Sequence, residues 1–461
     1  MKLRSILLLC VLAGGFAAFA VAQTMPANSV GATAPSTAPS AVPSAAATTA
    51  SGPAAAQSES AQPDILEYSP PPAEYARAKA YSVSHYRHFF VNALYGFLVL
   101  LVILRWRVAP CIRDFAERVS SRRFVQFIIF APLILLTISV LGMPTDIWDQ
   151  SLERAYGLSV QQWGAWFGDW VTNQIIMLIV GTILVAVLYF VIRRSPRRWW
   201  FYFWLASIPI LLVIFFVQPL VIDPLFYTFK PLQDAQPVLL SEMQKVMQRG
   251  GIEIPPDRMF VMNASSKTTG LNAYVTGYGA SKRVVVWDNT IAKATVPETL
   301  FVFGHEMGHY VLLHIPKELA IMEGIILLLL YLGYRLAWGM LERWGAQWGI
   351  RDLQDWASFP ALFLLITLLG FLATPAFNAV SRHFEHEADR YGLEVIHGLV
   401  PNPNQVAAHY FEKSGEKNLS DPDPSEWDKA WFFDHPTRKE RVHFVATYNP
   451  WMAGETPEYV K

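Results

Sequence analysis

Six apolar runs with few charged residues dominate the hydrophobic pattern of this chain. Each run is long enough for a helix to cross the hydrocarbon core of a bilayer, allowing for tilt and ragged ends. The runs cover residues 89–104, 125–141, 174–192, 199–220, 319–336 and 359–377. We therefore predict a mainly α-helical membrane protein, with four spans in a domain at 64–220 and a two-span hairpin at 319–378.

The polar loops between the first four spans differ in charge. Two of them are rich in arginine: Arg105, Arg107, Arg113, Arg118, Arg122 and Arg123 in one, and Arg193, Arg194, Arg197 and Arg198 in the other. The loop between them is mainly acidic, with Asp146, Asp149, Glu153 and Asp169 against Arg154. Because positively charged loops stay in the cytoplasm, we expect the region after Leu220 to lie on the opposite side of the membrane.

The N-terminal segment predicts export followed by a linker. Lys2 and Arg4 precede an apolar run, and Ala20-Val21-Ala22 offers a cleavage site, so residues 1–22 are typical of a signal peptide. An uncleaved N-terminal anchor is the alternative. Residues 23–63 consist mainly of Ala, Pro, Ser and Thr, which predicts a disordered linker.

A segment of mixed character at 221–318 predicts a small α+β domain. Its periodicity indicates a helix at 237–248 and strands at 258–263, 273–276 and 282–287, the last entered through Gly277-Tyr278-Gly279. A further helix begins at Thr295-Val296-Pro297-Glu298, which has the pattern of a capping box with proline in the first turn. The free edge of the strand at 273–276 could bind an extended peptide, or the strand could serve only to build the sheet.

This last helix carries the motif His305-Glu306-Met307-Gly308-His309. Residues four apart share one face of a helix, so the two imidazoles can bind a single tetrahedral metal ion. Glu306 stands beside them as a candidate general base. The motif predicts a zinc site.

A tetrahedral zinc ion with an open position needs a third protein ligand, and the returning hairpin can supply it. Two crossings bring residues after Asn378, in the segment 379–461, back to the face of the motif. Glu385 and Asp389 are four apart there and suit a ligand and a supporting carboxylate. Spacing alone leaves three alternatives to Glu385 as the ligand: His383, His386 and Glu387.

Composition narrows the function. The 461 residues are 53% hydrophobic and carry 37 basic against 37 acidic side chains, so a nucleic-acid partner is not expected. The two cysteines, Cys10 and Cys111, provide neither a disulfide framework nor a thiolate zinc site. We expect several other polar residues to be structural or solvated: His85, His88, His314, His397, His409 and His443, and the basic residues Arg438, Lys439 and Arg441 on the face of a terminal helix. Glu323 lies inside an apolar run, and we expect it either to line a cavity or to take part in helix packing.

Several motifs in order give the chain a family resemblance. They are Asn272-Ala273-Tyr274, His305-Glu306-Met307-Gly308-His309, Asn378 with Ser381-Arg382-x-x-Glu385-x-x-Ala388-Asp389, and His435-Pro436. The chain resembles the type I CAAX prenyl proteases, the a-factor-converting family of membrane zinc endopeptidases, together with their bacterial heat-shock-protease relatives. The resemblance implies a bundle of membrane helices around a chamber, with a small gluzincin-like α+β zinc-protease domain.

The resemblance also implies roles for individual residues. The implied ligands of one Zn²⁺ per chain are His305, His309 and Glu385. The residues assigned to catalysis are Glu306 as general base, His435 as a contact to substrate or the developing oxyanion, and Asp389 in support. The residues assigned to the substrate are Asn272, Ala273 and Arg382.

We therefore expect an integral-membrane zinc endopeptidase that acts on a peptide or protein substrate, in CAAX-type processing or membrane-protein quality control. The resemblance to bacterial relatives implies a bacterial inner-membrane protein, and the charge pattern predicts that its active site is periplasmic. The alternative is a non-enzymatic transporter or assembly factor with an inert metal site. A site-two-type protease is disfavoured, because the chain has no Asp-Gly pair to supply that class's later metal ligand. The sequence does not predict an oligomeric state.

Overall fold

The structure is a computed structural model that describes residues 64–277 and 282–460. The signal peptide or anchor predicted at 1–22 and the linker predicted at 23–63 lie outside these residues, as do two residues of the turn predicted at 277–279.

Sixteen α-helices and four strands follow one another in the described residues. The helices are α1 Pro72–Arg105, α2 Val108–Val119, α3 Arg123–Ala155, α4 Trp163–Arg194, α5 Trp199–Val217, α6 Asp223–Phe226, α7 Leu232–Ala235, α8 Pro237–Arg249, α9 Asp288–Lys293, α10 Val296–Val311, α11 His314–Trp348, α12 Phe359–Ile396, α13 Pro403–Lys417, α14 Glu426–Phe432, α15 Arg438–Thr447 and α16 Pro450–Ala453. The strands are β1 Phe229–Pro231, β2 Met259–Met262, β3 Ala273–Thr276 and β4 Arg283–Trp287.

The prediction of six membrane helices is confirmed. Within the described part of the chain, six helices are long and apolar enough to cross a membrane: Pro72–Arg105, Arg123–Ala155, Trp163–Arg194, Trp199–Phe226, His314–Trp348 and Trp356–Ile396. One apolar core joins side chains from all six, and its fully buried members include Ile103, Phe130 and Tyr189. The spans therefore form a single bundle.

The loops at one end of this bundle contain the arginines. The connection between α11 and α12 contacts both arginine-rich loops: Arg113 Nη1 lies 2.5 Å from Asp355 Oδ2, and Arg193 Nη2 donates to the carbonyl oxygen of Gln354 at 3.1 Å. At the other end, Ser159 of the acidic loop forms a β-bridge with Thr268, beside the sheet. The arginines and the sheet thus lie at opposite ends of the bundle.

A four-stranded sheet has the order β1-β2-β4-β3, with β2 and β4 parallel and the outer pairs antiparallel. All three predicted strands are present. The sequence missed β1, because three residues ending in Pro231 are too short to show a period of two. Among the described residues β3 pairs only with β4, so it is an edge strand, and it packs beside α10.

A second apolar core lies outside the bundle. It joins side chains between residues 232 and 307 with side chains between residues 391 and 460, and the fully buried Phe301, Met307 and Phe411 belong to it. The last part of α12 and the helices that follow it therefore share a core with α8, α10 and the sheet. Consequently α12 belongs to both cores: its first half lies in the membrane bundle and its second half packs against α10.

Candidate active site

Helix α10 presents the two motif imidazoles on one face. The capping box predicted for its first turn is present: Thr295 Oγ1 accepts from the N–H of Glu298, and the Glu298 carboxylate accepts from the N–H of Thr295 at 2.7 Å. Lys413 of α13 donates to the same carboxylate and fixes it. Further along the helix, the Nε2 atoms of His305 and His309 lie 3.3 Å apart.

Helix α12 adds a carboxylate to this pair. Glu385 Oε2 lies 3.3 Å from His305 Nε2, and Glu385 Oε1 lies 3.6 Å from His309 Nε2. The three side chains form a group whose donor atoms all lie within 4.8 Å of one another. A tetrahedral ion with bonds of about 2.0–2.1 Å separates its ligand atoms by about 3.3–3.4 Å. The donor set and its spacing therefore fit zinc.

The structure also distinguishes Glu385 from its sequence alternatives. His383 exposes 70% of its side chain, and His386 packs against the ring of Phe444. Glu387 reaches towards His314, 3.1 Å away. None of the three belongs to the donor group around His305.

Small residues allow α10 and α12 to approach closely enough for these contacts. A Cβ atom at Gly392 would lie 2.8 Å from the backbone nitrogen of His305, and one at Gly304 would lie 2.7 Å from Val395. Gly308, inside the motif, faces Ala388 and Tyr391 in the same way. A side chain at any of these three glycines would therefore crowd the interface between α10 and α12.

A buried pair of charges holds the outer side of His305. Its Nδ1 lies 2.8 Å from Asp389 Oδ1, and Arg441 of α15 donates through Nε to Asp389 Oδ2 at 2.8 Å. Burial by itself lowers the pKa of His305, but hydrogen bonds to Asp389 and Glu385 outweigh it and raise the pKa to about 9. The carboxylate fixes the imidazole orientation and makes Nε2 a better electron donor.

The expectation that Arg441 lies on a solvated helix face is wrong. Only Lys439 of the three basic residues is exposed, and Arg441 is buried, with its guanidinium over the ring of Phe411 at 4.1 Å. Charge spacing along α15 could not reveal this contact, because the partner, Asp389, lies on another helix.

Loss of Arg441 should make the orientation of the His305 ring less fixed, because Arg441 holds the Asp389 carboxylate that contacts this ring. We expect Arg441→Met to lower zinc affinity about 10- to 100-fold and to destabilise the fold by about 3–5 kcal/mol, because the Asp389 charge stays buried without its partner. Competition with a chelator and thermal unfolding measure the two effects. Lys439→Met, an exposed position on the same helix, is the control, and equal behaviour of the two variants would contradict this role.

His309 has a different environment. Burial lowers its pKa to about 3, so its imidazole is neutral and keeps a lone pair for a metal. Its Nδ1 lies 3.3 Å from Nδ1 of His314, a fully buried residue at the start of α11. The sequence predicted His314 to be structural or solvated, since its spacing from the motif matches no ligand pattern. It is not solvated, and it lies directly behind a motif imidazole.

His435 completes the cluster of imidazoles. Its Nε2 lies 2.8 Å from Glu385 Oε2, and its Nδ1 lies 2.5 Å from Asp434 Oδ1. Arg382 donates through Nη1 to the carbonyl oxygens of Lys429 and Phe433, at 2.9 and 2.6 Å. These bonds tie the segment that precedes His435 to α12.

The remaining predicted residues lie on α10 and at the beginning of β3. Glu306 is half-buried on α10, directly after His305. Asn272 precedes β3: its carbonyl oxygen accepts from Trp287 N–H at 3.1 Å, and its side-chain Oδ1 accepts from Ala273 N–H at 3.0 Å. Ala273 pairs with Val286 of β4. The structure thus brings His305, His309, Glu385, Asp389 and His435 into one contacting group, whereas Glu306 lies on α10, Arg382 on α12, and Asn272 and Ala273 at the beginning of β3.

Comparison with known proteins identifies the family of the chain. Residues 54–228 match the family described as CAAX prenyl protease N-terminal, five membrane helices, and residues 233–448 match peptidase family M48. The uncharacterized metalloprotease YhfN of Bacillus subtilis is 33% identical over 371 residues, which cover 80% of this chain and 85% of that protein. The CAAX prenyl protease 1 homolog of Oryza sativa is 23% identical over 387 residues, which cover 80% of this chain and 86% of its own length.

A solved structure shows the same fold. The crystal structure of S. mikatae Ste24p matches with a TM-score of 0.70 and 21% sequence identity, over 85% of this chain and 93% of that one. The predictions of a helical membrane bundle with a small metallopeptidase domain, and of a protease, are confirmed. The chain belongs to peptidase family M48 and is an integral-membrane metalloprotease with the fold of Ste24p.

Proposed function

We propose that this protein is a zinc endopeptidase in which His305, His309 and Glu385 bind one Zn²⁺ and Glu306 is the general base. The observation that carries the proposal is the spacing of the donor groups: the two imidazole Nε2 atoms lie 3.3 Å apart, and the Glu385 carboxylate lies 3.3 Å from one through Oε2 and 3.6 Å from the other through Oε1, close to the ligand spacing of a tetrahedral zinc ion. Two imidazoles and one carboxylate also form the ligand set that zinc peptidases use while one position stays open.

The proposed chemistry divides between the ion and the chain. A zinc ion held by these residues would lower the pKa of a water molecule towards neutrality and polarise the substrate carbonyl. Glu306 is the residue that would take a proton from the attacking water and return it to the leaving amine. His435, whose Nε2 lies beside Glu385, donates to the oxyanion, and loss of one such donor costs about 10²–10³ in kcat.

We propose that the substrate adds a strand to the sheet at β3. Among the described residues this strand pairs on one side only, with β4, and it packs beside the motif helix α10. Asn272 directly precedes the strand and Ala273 begins it. Main-chain hydrogen bonds would then hold the peptide in an extended conformation across the site. Arg382 contributes by fixing the segment 429–433 that leads to His435.

We further propose that the active site lies on the periplasmic side of a bacterial inner membrane. The connection between α11 and α12 lies with the arginine-rich loops, at the end of the bundle away from the sheet. If those arginines are cytoplasmic, α11 and α12 each connect the cytoplasmic end of the bundle to the motif. The motif then lies on the opposite side of the membrane.

Cysteine labelling of intact cells tests this orientation. Cys111 is exposed at the arginine-rich end, and Glu426 is exposed on the motif side. We expect a membrane-impermeant maleimide to label a Glu426→Cys variant that also carries Cys10→Ser and Cys111→Ser, and to leave Cys111 of the wild type unlabelled until the cells are lysed. The reverse pattern would place the active site in the cytoplasm.

The function itself is tested by cleavage of an unstructured reporter peptide with purified protein in detergent. We expect cleavage to stop on chelation, to return on addition of zinc, and to be absent in His309→Ala because that variant no longer holds the ion. Prenylated and unprenylated peptides should be compared, since several relatives are named CAAX prenyl proteases. Chelator-resistant cleavage, or wild-type cleavage by His309→Ala, would contradict the proposal.

A further inference from the structure

A sharp turn between α10 and α11 brings an extra imidazole to the motif. Helix α10 ends at Val311, and Leu313 adopts a left-handed conformation with φ of 57°. Non-glycine residues seldom adopt this conformation. The turn starts α11 at His314 and folds this side chain back against α10, where it is completely buried.

His314 bridges two helices. Its Nδ1 lies 3.3 Å from His309 Nδ1, and its Nε2 lies 3.1 Å from Oε2 of Glu387 on α12. Its ring also packs against Phe384, with the ring centres 5.0 Å apart. Both ring nitrogens therefore face polar groups of other elements, on either side of the imidazole.

Metal binding by His309 would determine which ring nitrogen carries the hydrogen in His309 and in His314. When His309 binds a metal through Nε2, the neutral ring carries its hydrogen on Nδ1 and needs an acceptor there. Nδ1 of His314 is that acceptor, and its own hydrogen then lies on Nε2, facing the Glu387 carboxylate. The order His309, His314, Glu387 thus gives the Nδ1–H of His309 an acceptor and places the Glu387 carboxylate 3.1 Å from His314 Nε2, at ion-pair distance.

Glu387 has a further contact at its other carboxylate oxygen. Tyr459 donates its hydroxyl to Glu387 Oε1 at 3.4 Å, whereas the exposed His383 lies 4.0 Å from that oxygen, beyond hydrogen-bond distance. The backbone around Tyr459 is in turn anchored by the buried carboxylate of Glu394, which accepts from the N–H groups of Tyr459 and Val460 at 2.7 and 2.8 Å. Both carboxylate oxygens of Glu387 therefore have a neighbour, Tyr459 at Oε1 and His314 at Oε2.

We infer that His314 and Glu387 are positioning residues that fix the ring of His309 for metal binding, as Asp389 and Arg441 do for His305. The inference rests on the proposed function, because it requires His309 to be a metal ligand. Each motif imidazole then has its own carboxylate on α12: Asp389 contacts His305 directly, and Glu387 acts on His309 through His314.

Two substitutions of His314 separate hydrogen bonding from packing. His314→Phe keeps a ring against Phe384 and loses both nitrogens, whereas His314→Gln keeps one acceptor and one donor. We expect His314→Phe to lower zinc affinity about 10- to 100-fold, with His314→Gln falling between it and the wild type. Chelator competition measures affinity, and thermal unfolding of metal-free protein shows whether each variant folds.

Glu387→Met tests the last member of the series His309, His314, Glu387. Glu387 is partly exposed, so misfolding of this variant is less of a concern. We expect it also to lower zinc affinity, and the double variant with His314→Phe to lose no more than the larger single loss, because both act through one path. His383→Gln, an exposed histidine on the same helix, is the control and should bind zinc like the wild type.

The outcomes separate this inference from the proposed function. If His309→Ala loses zinc while folded His314→Phe and Glu387→Met keep wild-type affinity, the positioning role is overturned and the metal site stands. Equal affinities of His314→Phe and the wild type, with a loss in His314→Gln, would also overturn it, since packing alone would then matter. Wild-type zinc affinity in His309→Ala would overturn both.

Discussion

Replacing Glu306 by glutamine is expected to abolish peptide cleavage while zinc binding stays at one ion per chain. The amide keeps the shape of the side chain but cannot take a proton from water, and a general base contributes typically about 10²–10⁴ to the rate. The three proposed ligands are untouched. Initial rates on a reporter peptide, with zinc content measured on the same sample, give both results.

A matched control keeps this result specific. Glu342→Gln makes the same change at an exposed position on α11 and should cleave like the wild type. Cleavage by zinc-loaded Glu306→Gln within tenfold of the wild-type rate would remove Glu306 from the mechanism. Loss of zinc in that variant would instead give Glu306 a part in holding the ion.

Replacing Gly392 by alanine is expected to abolish metal binding, although Gly392 is not itself a proposed metal ligand. Its Cβ would lie 2.8 Å from the backbone nitrogen of His305 and 3.0 Å from its Cα. Backbone atoms cannot move aside as a flexible side chain can, so α10 and α12 must separate. Overpacking of this kind costs about 1–3 kcal/mol in stability, and the shift would carry Glu385 away from the imidazoles.

Gly324 provides the control for this prediction, because it is also helical and an added Cβ would meet no atom within 4 Å. Gly324→Ala should retain the zinc content and the unfolding temperature of the wild type. Zinc content and thermal unfolding, measured side by side, compare the two variants. Full zinc occupancy in Gly392→Ala would show that the helix spacing is not critical to the site.

The membrane helices and the motif helix could be predicted because their signals are local. Apolar length indicated the six spans, and the pattern Thr295 to Glu298 indicated the start of α10, since capping depends on residues three apart. The i, i+4 spacing of His305 and His309 likewise needs no knowledge of the fold. Features that depend on neighbouring positions in the chain were therefore within reach of the sequence.

The outer contacts of the site are not local. Spacing could not separate Glu385 from His383, His386 and Glu387, because the choice depends on which face of α12 meets α10. Arg441 contacts a carboxylate 52 residues earlier in the chain, and its helix carries other basic residues that hide the signal. Similarly, the arrangement of His314 depends on a left-handed turn at a leucine, which has no sequence signature of the kind that glycine provides.

The central claim is that His305, His309 and Glu385 bind a tetrahedral zinc ion. The most direct test is the zinc X-ray absorption spectrum of the purified protein in detergent, compared with that of Glu385→Ala. We predict a first shell of about four nitrogen and oxygen atoms at about 2.0–2.1 Å, including two imidazoles, and the loss of one oxygen ligand or of the ion itself in the variant. A six-coordinate shell without imidazole, or an unchanged spectrum at full occupancy in Glu385→Ala, would contradict the assignment.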